Sequence, residues 1–534
     1  MLLNLAGRAT DLSAHYSDEG VLPRAALLTD VLDPWQFSLN LVSGETIFQA
    51  LVFGVAALAA LALLLGYRTR LATVLVWVMV ISIQARNPLL SGSESVLLDV
   101  LLFWGMFLPL GACWSVDRAL KAAPPRLSMR FLSFATAGLF MQIAFMYWFT
   151  AILKSGREWR VDGTALYYAL NYDQYVRPFG AYLLQFPDLL KVLTFATLGL
   201  EAFGPFLLFF PFFTGPVRTG AVVAFMSLHF GIWLTMNIGM FPWVGAFCMV
   251  CFLPAWFWNK VVPRICGALP GQPTNARRYL RRARGVIRTH LLPLRATLSL
   301  PGGAGGRSST VGLAGYGDDY DQPETTPLAK QGEPRAAMMS ERGTERGGVG
   351  GSESATMLRS SLATNLLAAF FLLYVFCWNL TTVTSFTMPE RLVPLAYSLG
   401  LWQEWGMFAP SPTKYGYWHV IPGTLRGGQQ VDLMAVTRDD FYPREGVSWE
   451  KPDYVRGIYK NAQWQGYLEN IVKFEEYVNL RRDFNRYVCQ EWNARHTGDE
   501  QLMSFQMAYM LEETQPDYQP PTLPKVVLWE HSCS

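Results

Sequence analysis

The chain has 534 residues and a formal net charge of +3, and only 16% of its residues are charged. Soluble proteins carry about 25% charged residues, and the mean hydropathy here is positive, at +0.18. This composition excludes an ordinary soluble protein and predicts membrane spans. The nearly balanced charge gives no indication of a nucleic-acid partner.

Eight apolar segments follow one another along the chain, most of them close to the roughly 20 residues with which a helix crosses a bilayer. They are residues 46–66, 71–86, 95–113, 130–153, 188–213, 219–236, 239–258 and 363–384. They predict a mainly α, polytopic α-helical membrane protein with about eight transmembrane helices. The alternative is a large soluble protein with eight buried core helices, and the scarcity of charge disfavours it.

Positively charged residues fall on alternate loops between these segments. They are Arg68, Arg70, Arg118, Lys121, Arg126, Arg130 and Arg218, followed by Arg264, Arg277, Arg278, Arg281, Arg282, Arg284, Arg288 and Arg295 after Lys260. The positive-inside rule places these loops in the cytoplasm. Both terminal regions then face outside, as in a multi-pass protein of a bacterial inner membrane or a eukaryotic endomembrane.

The composition divides the chain into five parts. They are an extracytoplasmic segment 1–45, a transmembrane domain 46–258 of seven helices, a cytoplasmic linker 259–362, a last transmembrane helix 363–384 and an extracytoplasmic C-terminal domain 385–534. The linker is basic to about residue 295 and then rich in Gly, Ser and Pro, which predicts disorder. We expect residues 300–357 to be dispensable for folding and membrane insertion.

The C-terminal domain is predicted to be small and α+β. The stretch YWHVIPGTLRGGQQVDLM predicts two strands around a turn at Gly427 and Gly428. The run QWQGYLENIVKFEEYVNLRRDFNRYVCQEWN has apolar residues at helical spacing and predicts one helix. Cys489 and Cys533 also lie here, and they can pair if the domain faces an oxidising compartment.

Polar side chains within or at the ends of the apolar segments are costly in a membrane and suggest function. They are Arg86, Asn87, Asp99, Gln142, Lys154, Glu201, His229 and Asn237. Under the predicted topology most of them lie between the middle of the membrane and its outer surface. We therefore expect them to converge on one cavity that opens outward.

Each of these residues also has a structural interpretation. Asp99 and Arg86 can form a salt bridge, and Glu201 can be protonated between helices. His229 can be a buried core histidine whose hydrogen bonds are satisfied within the protein. Lys154 can extend to the membrane interface beside tryptophans. A Cys-x-x-Cys pattern at 248–251 resembles a redox motif but suits small apolar packing better.

Three stretches carry a family resemblance. FMYWFTAILKSGREWRVDGTALYYAL, QARNPLLSGSESVLLDVLLFWGMFLPLG and LHFGIWLTMNIGMFPWVGAF together resemble the HTTM domain, the horizontally transferred transmembrane domain shared with vitamin K-dependent gamma-carboxylase. DLSAHYSDEGVLPR and LWQEWGMFAPSP are similar to this family as well. Family members usually have a membrane helix that runs into the first of these two, where this sequence has only residues 2–5.

The resemblance implies a chemistry for Lys154. In the carboxylase a lysine of this motif deprotonates reduced vitamin K, and the spacing to Trp159 matches it to Lys154; two adjacent lysines of the carboxylase are here one lysine followed by Ser155. A lysine among apolar aromatics, here Trp148, Phe149 and Trp159, loses hydration and can act as a neutral base. The implied cofactor is a reduced isoprenoid quinone, with no metal.

The resulting site assignment has two groups. The catalytic residues are expected to be Lys154, His229 and Glu201, and the cofactor-binding residues Arg86, Asn87, Asp99, Trp159 and Tyr167. The expected partners are the lipid bilayer, a quinol and a secreted protein substrate, although the short C-terminal domain disfavours peptide glutamate as the substrate. The alternative is a non-catalytic membrane protein that binds a lipid or assists a secreted partner.

Overall fold

The computed structural model describes residues 1–120, 131–263, 360–434, 446–473, 477–516 and 524–533. The stretch 300–357 and most of the basic linker lie outside these residues, and so does the loop 121–130.

The described part of the chain is mainly helical. Its α-helices are α1 (Leu2–Ala9), α2 (Leu12–Tyr16), α3 (Arg24–Asp30), α4 (Thr46–Leu65), α5 (Thr69–Arg86), α6 (Ser93–Met106), α7 (Val116–Ala119), α8 (Phe134–Leu153), α9 (Arg157–Arg160), α10 (Ala165–Leu170), α11 (Pro178–Leu183), α12 (Pro187–Leu208), α13 (Thr214–Thr235), α14 (Phe241–Cys248), α15 (Leu362–Thr381), α16 (Val393–Leu399), α17 (Ala462–Lys473) and α18 (Leu480–Asn493).

Among the described residues six helices, α4, α5, α8, α12, α13 and α15, are long and apolar enough to cross a membrane. The number rises to seven if α6 and the bent segment Leu110–Ala119 make one span. The expectation of about eight full spans is therefore met only in part. The predicted span 239–258 is a short apolar helix, Phe241–Phe252, whose last turn is a 3₁₀-helix.

Prolines explain both shortened spans. Pro109 follows α6, and the chain bends there by 57° before it continues. Leu253 precedes Pro254 and adopts an extended conformation, which ends the helix Phe241–Phe252. A proline disfavours a helical conformation in the residue before it. Each helix therefore ends before its proline, although the apolar run of the sequence continues beyond that point.

Helix α8 lies at the centre of the membrane domain and packs against α6, α12 and α15. Its Gly138 is in close contact with the indole of Trp104, where an added Cβ would lie 2.3 Å from the ring. Phe145 and Phe225 belong to the same buried cluster. Large apolar side chains such as Leu64 and Phe203 point away from it and are exposed. An apolar exterior around a packed core is typical of helices surrounded by lipid.

The C-terminal region contains a five-stranded antiparallel sheet. Its strands are β1 (Tyr415–Val420), β2 (Pro422–Leu425), β3 (Gln430–Asp432), β4 (Leu502–Glu513) and β5 (Lys525–Ser532). The long strand β4 pairs with β1 and β2 along one edge and with β5 along the other, and β3 pairs with β2. Gly428 has a φ of +83° in the turn between β2 and β3, so the predicted turn is confirmed.

The single helix predicted for 463–493 is wrong, because the structure has two helices there, α17 and α18. α17 buries Trp464 and Ile471, and α18 buries Leu480. One continuous helix would place Val478 on the same face as Ile471, but Val478 is 46% exposed. A break between the two helices restores the burial of the second apolar stretch.

The N-terminal segment and the C-terminal domain share one hydrophobic core. Leu22 and Leu27 pack with Trp464 and Phe484, and the His15 and Trp464 rings lie 4.6 Å apart. A disulfide joins α18 to the residue after β5 through Cys489 and Cys533. We call this combined unit the outer domain, because it lies outside the bundle of membrane helices. It contacts the ends of α5 and α8, so residues 1–45 and 385–534 are not separate units.

Candidate functional site

The side chain of Lys154 is buried in an ion pair. Lys154 caps the C-terminus of α8, and its Nζ donates to Oε1 and Oε2 of Glu201 on α12 at 2.7 and 2.6 Å. The two residues are only 4% and 6% exposed. Charged groups out of contact with water require such a partner. Lys154 therefore does not extend to the interface, and its side chain is in contact with that of Glu201.

One of the three predicted aromatic residues covers the Lys154 amine. The ring centroid of Trp159 lies 4.4 Å from Nζ, at cation–π distance. The Trp159 indole N–H donates to the carbonyl oxygen of Phe408 at 2.9 Å. Trp148 instead packs on Phe206, with ring centroids 4.8 Å apart. The amine is therefore enclosed by Glu201 on one side and by a fixed indole on another.

The motif LWQEWGMFAPSP lies against the Lys154 loop. The Gly156 N–H donates to the Pro410 carbonyl at 3.0 Å, and the Ser411 hydroxyl donates to Glu158 at 2.6 Å. Lys414 forms an ion pair with the same carboxylate at 2.9 Å. The hydrogen bond from Ser411 and the charge of Lys414 lower the pKa of Glu158 to about 2. The loop after α8 and the LWQEWGMFAPSP motif are thus in direct contact, although they lie far apart in the sequence.

Arg160 fixes the backbone at Lys154. Its guanidinium donates to the carbonyl oxygens of Lys154 at 2.9 Å and Ile152 at 3.1 Å. These carbonyls belong to the last turn of α8, which has no intrahelical donors for them. Sequence reasoning overlooked Arg160, although its place one residue after Trp159 in the motif pointed to it.

His229 is bound to α8 and not to Lys154. Its Nε2 lies 2.7 Å from the hydroxyl of Tyr147, and its Nδ1 is without a partner in the described part of the chain. Tyr147 and Lys154 are seven residues apart on α8, so they lie on the same face. His229 therefore contacts α8 through Tyr147, a residue that sequence analysis missed.

Arg86 and Asn87 hold the N-terminal segment. Arg86 donates to the carbonyls of Leu22 at 2.8 Å and Ser17 at 3.0 Å, and Asn87 donates to the His15 carbonyl at 3.0 Å. Their side chains thus bind backbone oxygen atoms of residues 15–22. Arg86 and Asn87 therefore have their partners in the N-terminal segment and not at Lys154, where we expected them.

Asp99 and Tyr167 make hydrogen bonds to residues other than Lys154. Asp99 accepts a hydrogen bond from Gln84 at 3.0 Å, and Arg86 makes its described ion pair with Asp18, at 3.8 Å. The alternative of an Arg86–Asp99 salt bridge is therefore wrong. The Tyr167 hydroxyl donates to the carbonyl of Gln515 at 2.8 Å.

A chain of buried amides and indoles connects the LWQEWGMFAPSP motif to the membrane helices. Gln142 on α8 donates to Gln403 at 2.6 Å. The Trp405 indole donates to the same Gln403 oxygen at 3.0 Å, and the Trp104 indole lies 3.5 Å from Gln142. The polar side chain predicted inside α8 therefore has a structural partner.

An apolar groove of about 1050 Å³ runs between α8, α12 and α15. Its walls include Phe145, Trp148, Phe149, Phe203 and Phe376. The charged residue among its lining residues is Arg160, which also binds the Lys154 carbonyl. The groove thus leads from the lipid-facing side of the helices to the backbone of the Lys154 loop.

A cavity of about 360 Å³ lies between the membrane helices and the outer domain, and its lining mixes apolar residues with charged and polar ones. For its charged residues we call it the polar cavity. Its lining includes Glu94, Tyr175, Phe408, Arg456 and Glu469. The Tyr175 hydroxyl donates to Glu469 at 2.8 Å, and burial raises the pKa of Glu469. Phe408 lines this cavity, and its carbonyl accepts the hydrogen bond of the indole that covers Lys154. The cavity wall is therefore linked to the buried pair through Trp159.

The described residues contain no group of three or more His, Cys, Asp or Glu side chains placed to hold a metal ion. Cys248 is buried and its Sγ donates to the Gly245 carbonyl at 3.0 Å, while Cys251 is exposed and both are free thiols.

The apolar spans define a multi-pass integral membrane protein. A family model, the HTTM domain, matches residues 30–256. Residues 30–256 are therefore an HTTM domain, and the likeness to vitamin K-dependent gamma-carboxylase is one that this family shows in general. The match contains Lys154, Trp159 and Glu201 but ends before α15 and most of the outer domain. No curated protein and no solved structure matches the chain.

Proposed function

We propose that this protein is a quinol-dependent membrane enzyme of the carboxylase or epoxidase type, with Lys154 as its base. The observation that carries the proposal is the buried ion pair of Lys154 and Glu201 under the Trp159 ring. One residue links each of two cavities to this pair. Arg160, which binds the Lys154 carbonyl, lines the apolar groove, and Phe408, which binds Trp159, lines the polar cavity. Such a position suits an enzyme that brings together a lipid-soluble and a water-soluble reactant.

The ion pair can supply a neutral amine. In a site of low dielectric, transfer of the shared proton from Lys154 to Glu201 removes two buried charges at once. The Lys154 nitrogen then has a free lone pair and can accept a proton from a hydroxyl within hydrogen-bond reach. Glu201 keeps the first proton, and its neutral carboxyl accepts a hydrogen bond from the ammonium group that results. The deprotonated hydroxyl carries the balancing negative charge. Lys154 is the proton acceptor, and Glu201 and Arg160 are positioning residues.

The apolar groove fits an isoprenoid tail. Its volume of about 1050 Å³ is slightly above the roughly 300–1,000 Å³ typical of ligand sites, and its walls are rich in aromatic and aliphatic side chains. When bound, a reduced isoprenoid quinone supplies a hydroxyl proton and the two electrons that oxygen takes up. Lys154 does not itself line the groove, so the proposal requires the hydroxyl to reach the amine past Phe149 or Trp159.

We place the second reactant in the polar cavity and the outer domain on the extracytoplasmic side. The arginines Arg68, Arg118 and Arg218 lie at the opposite end of the membrane helices, which supports this orientation by the positive-inside rule. The Cys489–Cys533 disulfide supports it as well, because disulfides persist in oxidising compartments.

The second candidate is a non-catalytic lipid-binding protein. The observation that favours it is that the Lys154–Glu201 pair is already complete without a ligand, as a structural ion pair would be. In that case the groove holds a lipid, and the outer domain assists a secreted partner.

The test is turnover by the purified full-length protein in nanodiscs with reduced quinones, oxygen and labelled carbon dioxide. We expect quinone oxidation that Lys154→Ala and Lys154→Arg both abolish, since a guanidinium remains charged. Lys191→Ala is the matched control, because Lys191 is exposed on α12. Full activity of Lys154→Arg would rule out the base. Quinone binding without turnover in the wild type would favour the lipid-binding protein.

A further inference from the structure

A second cavity lies at the opposite end of the membrane helices from Lys154. It has a volume of about 520 Å³ and is enclosed by the start of α5 and the chain that follows α6. Three arginines, Arg68, Arg70 and Arg118, line it together with Asp117. The remaining lining is mostly apolar and includes Leu71, Met106, Leu108 and Leu110.

The carboxylate in this cavity binds the protein backbone. Asp117 accepts hydrogen bonds from the N–H groups of Arg68 at 2.7 Å and Thr69 at 2.8 Å, and from the Thr69 hydroxyl at 2.8 Å. Its own N–H donates to the Gly66 carbonyl at 3.0 Å. Asp117 therefore ties the 107–119 segment to the turn between α4 and α5. The three guanidinium groups outnumber it, so the formal charge of the lining is positive by two.

The turn that carries Arg68 is held in an unusual conformation. Arg68 has a φ of +44°, a left-handed conformation that is uncommon for a residue with a Cβ. The two backbone bonds to Asp117 hold this conformation in place. Arg68 therefore lines the cavity from a fixed backbone position, and its guanidinium carbon lies 5.9 Å from the centroid of the Tyr67 ring.

We propose that this cavity binds the phosphate of an anionic phospholipid headgroup. Guanidinium groups bind phosphate oxygen atoms through charge-assisted hydrogen bonds. Leu71 is exposed and lines the cavity on α5, so acyl chains can continue from the cavity along the outer face of that helix. A charged rim above an apolar wall at a helix end is the arrangement that an anionic lipid requires. This site is separate from Lys154 and does not depend on the proposed enzymatic activity.

The test measures lipid binding by the full-length protein. Detergent-purified protein is titrated with phosphatidylglycerol or phosphatidylcholine and examined by native mass spectrometry, with inorganic phosphate as a third arm. We expect phosphatidylglycerol to bind at least about 10-fold more tightly than phosphatidylcholine, and its affinity to fall as salt is raised. Equal binding of the two lipids would overturn the proposal. Inorganic phosphate that binds as tightly as the lipid would show a free-anion site instead.

The double variant Arg68→Gln/Arg70→Gln should lose this preference. The matched control is Arg157→Gln/Arg391→Gln, which removes the same charge from exposed positions at the other membrane end. An equal loss in the control would show a general charge effect and not a site. If the double variant does not fold, Arg118→Gln tests the same cavity from its other side, and unchanged lipid preference in that variant would contradict the proposal.

Discussion

The Nζ of Lys154 lies 2.6 Å from Oε2 of Glu201, and this contact joins α8 to α12 inside the membrane domain. The lysine that the family resemblance marks as a base is thus also a structural residue. A lysine that extended to the interface would tolerate Lys154→Ala with little loss of stability. A buried lysine paired with a carboxylate does not.

We expect Lys154→Ala to destabilise the protein by about 3–5 kcal/mol, because it leaves the Glu201 carboxylate buried without its partner. The double variant Lys154→Met/Glu201→Leu should recover most of this loss, since it removes both charges. Thermal unfolding in detergent, with Lys191→Ala as the control, measures both effects. If the double variant were less stable than Lys154→Ala, the ion pair would contribute more to stability than the neutralisation of two buried charges.

Tyr147→Phe should destabilise the protein by about 1–3 kcal/mol. It removes the described hydrogen-bond partner of His229 Nε2 and leaves a buried polar atom unsatisfied. Tyr182→Phe is the control because Tyr182 is exposed, and its effect should stay within about 0.5 kcal/mol. Equal melting temperatures for the two variants would mean that the Tyr147–His229 contact contributes no stability.

The contact between Glu158 and the LWQEWGMFAPSP motif should depend on pH. The pKa of Glu158 is lowered from 4.5 to about 2 in the folded protein. The folded protein therefore stabilises the ionised carboxylate more than the unfolded chain does. Its stabilising contribution is complete above pH 4.5 and is lost as the pH falls towards 2. Ser411→Ala should therefore shift the midpoint of acid unfolding to higher pH, and Ser448→Ala, at an exposed position, should not. An unchanged midpoint in Ser411→Ala would contradict this role.

The disulfide should stabilise the outer domain. It closes a chain segment with a sequence separation of 44 residues, for which the loop-entropy model gives about 3–4 kcal/mol. We expect Cys489→Ser and Cys533→Ser to make the outer domain sensitive to limited proteolysis, with no further effect in the double variant. Cys113→Ser changes an exposed free thiol and should leave the digestion pattern unchanged. Resistance of all variants would show that the bond does not stabilise the domain.

Reporter fusions can test the orientation of the protein in the membrane. Fusions in the 118–130 loop and in residues 265–360 should read cytoplasmic, and fusions after residue 400 should read external. Because the N-terminal segment shares a core with the C-terminal domain, a reporter near residue 20 should agree with those after 400. A cytoplasmic outer domain would overturn both the orientation and the argument for its disulfide.

Local composition was enough to predict the membrane class and the approximate positions of six spans, because hydropathy is a property of each segment by itself. The turn at Gly427 and Gly428 was also predictable, since its residues lie next to each other in the chain. Apolar runs do not show where a helix ends inside them. Pro109 and Pro254 decided the lengths of two segments that hydropathy alone treated as full spans.

The pairing of distant residues was decided only by the tertiary structure. Glu201 is 47 residues from Lys154, and Ser411 is 253 residues from Glu158. Strands β4 and β5 were missed for the same reason, since a strand is stabilised by hydrogen bonds to a partner elsewhere in the chain. A single sequence records which polar side chains lie in apolar surroundings. Which of them meet depends on how the helices pack, and packing is set by contacts that span the whole chain.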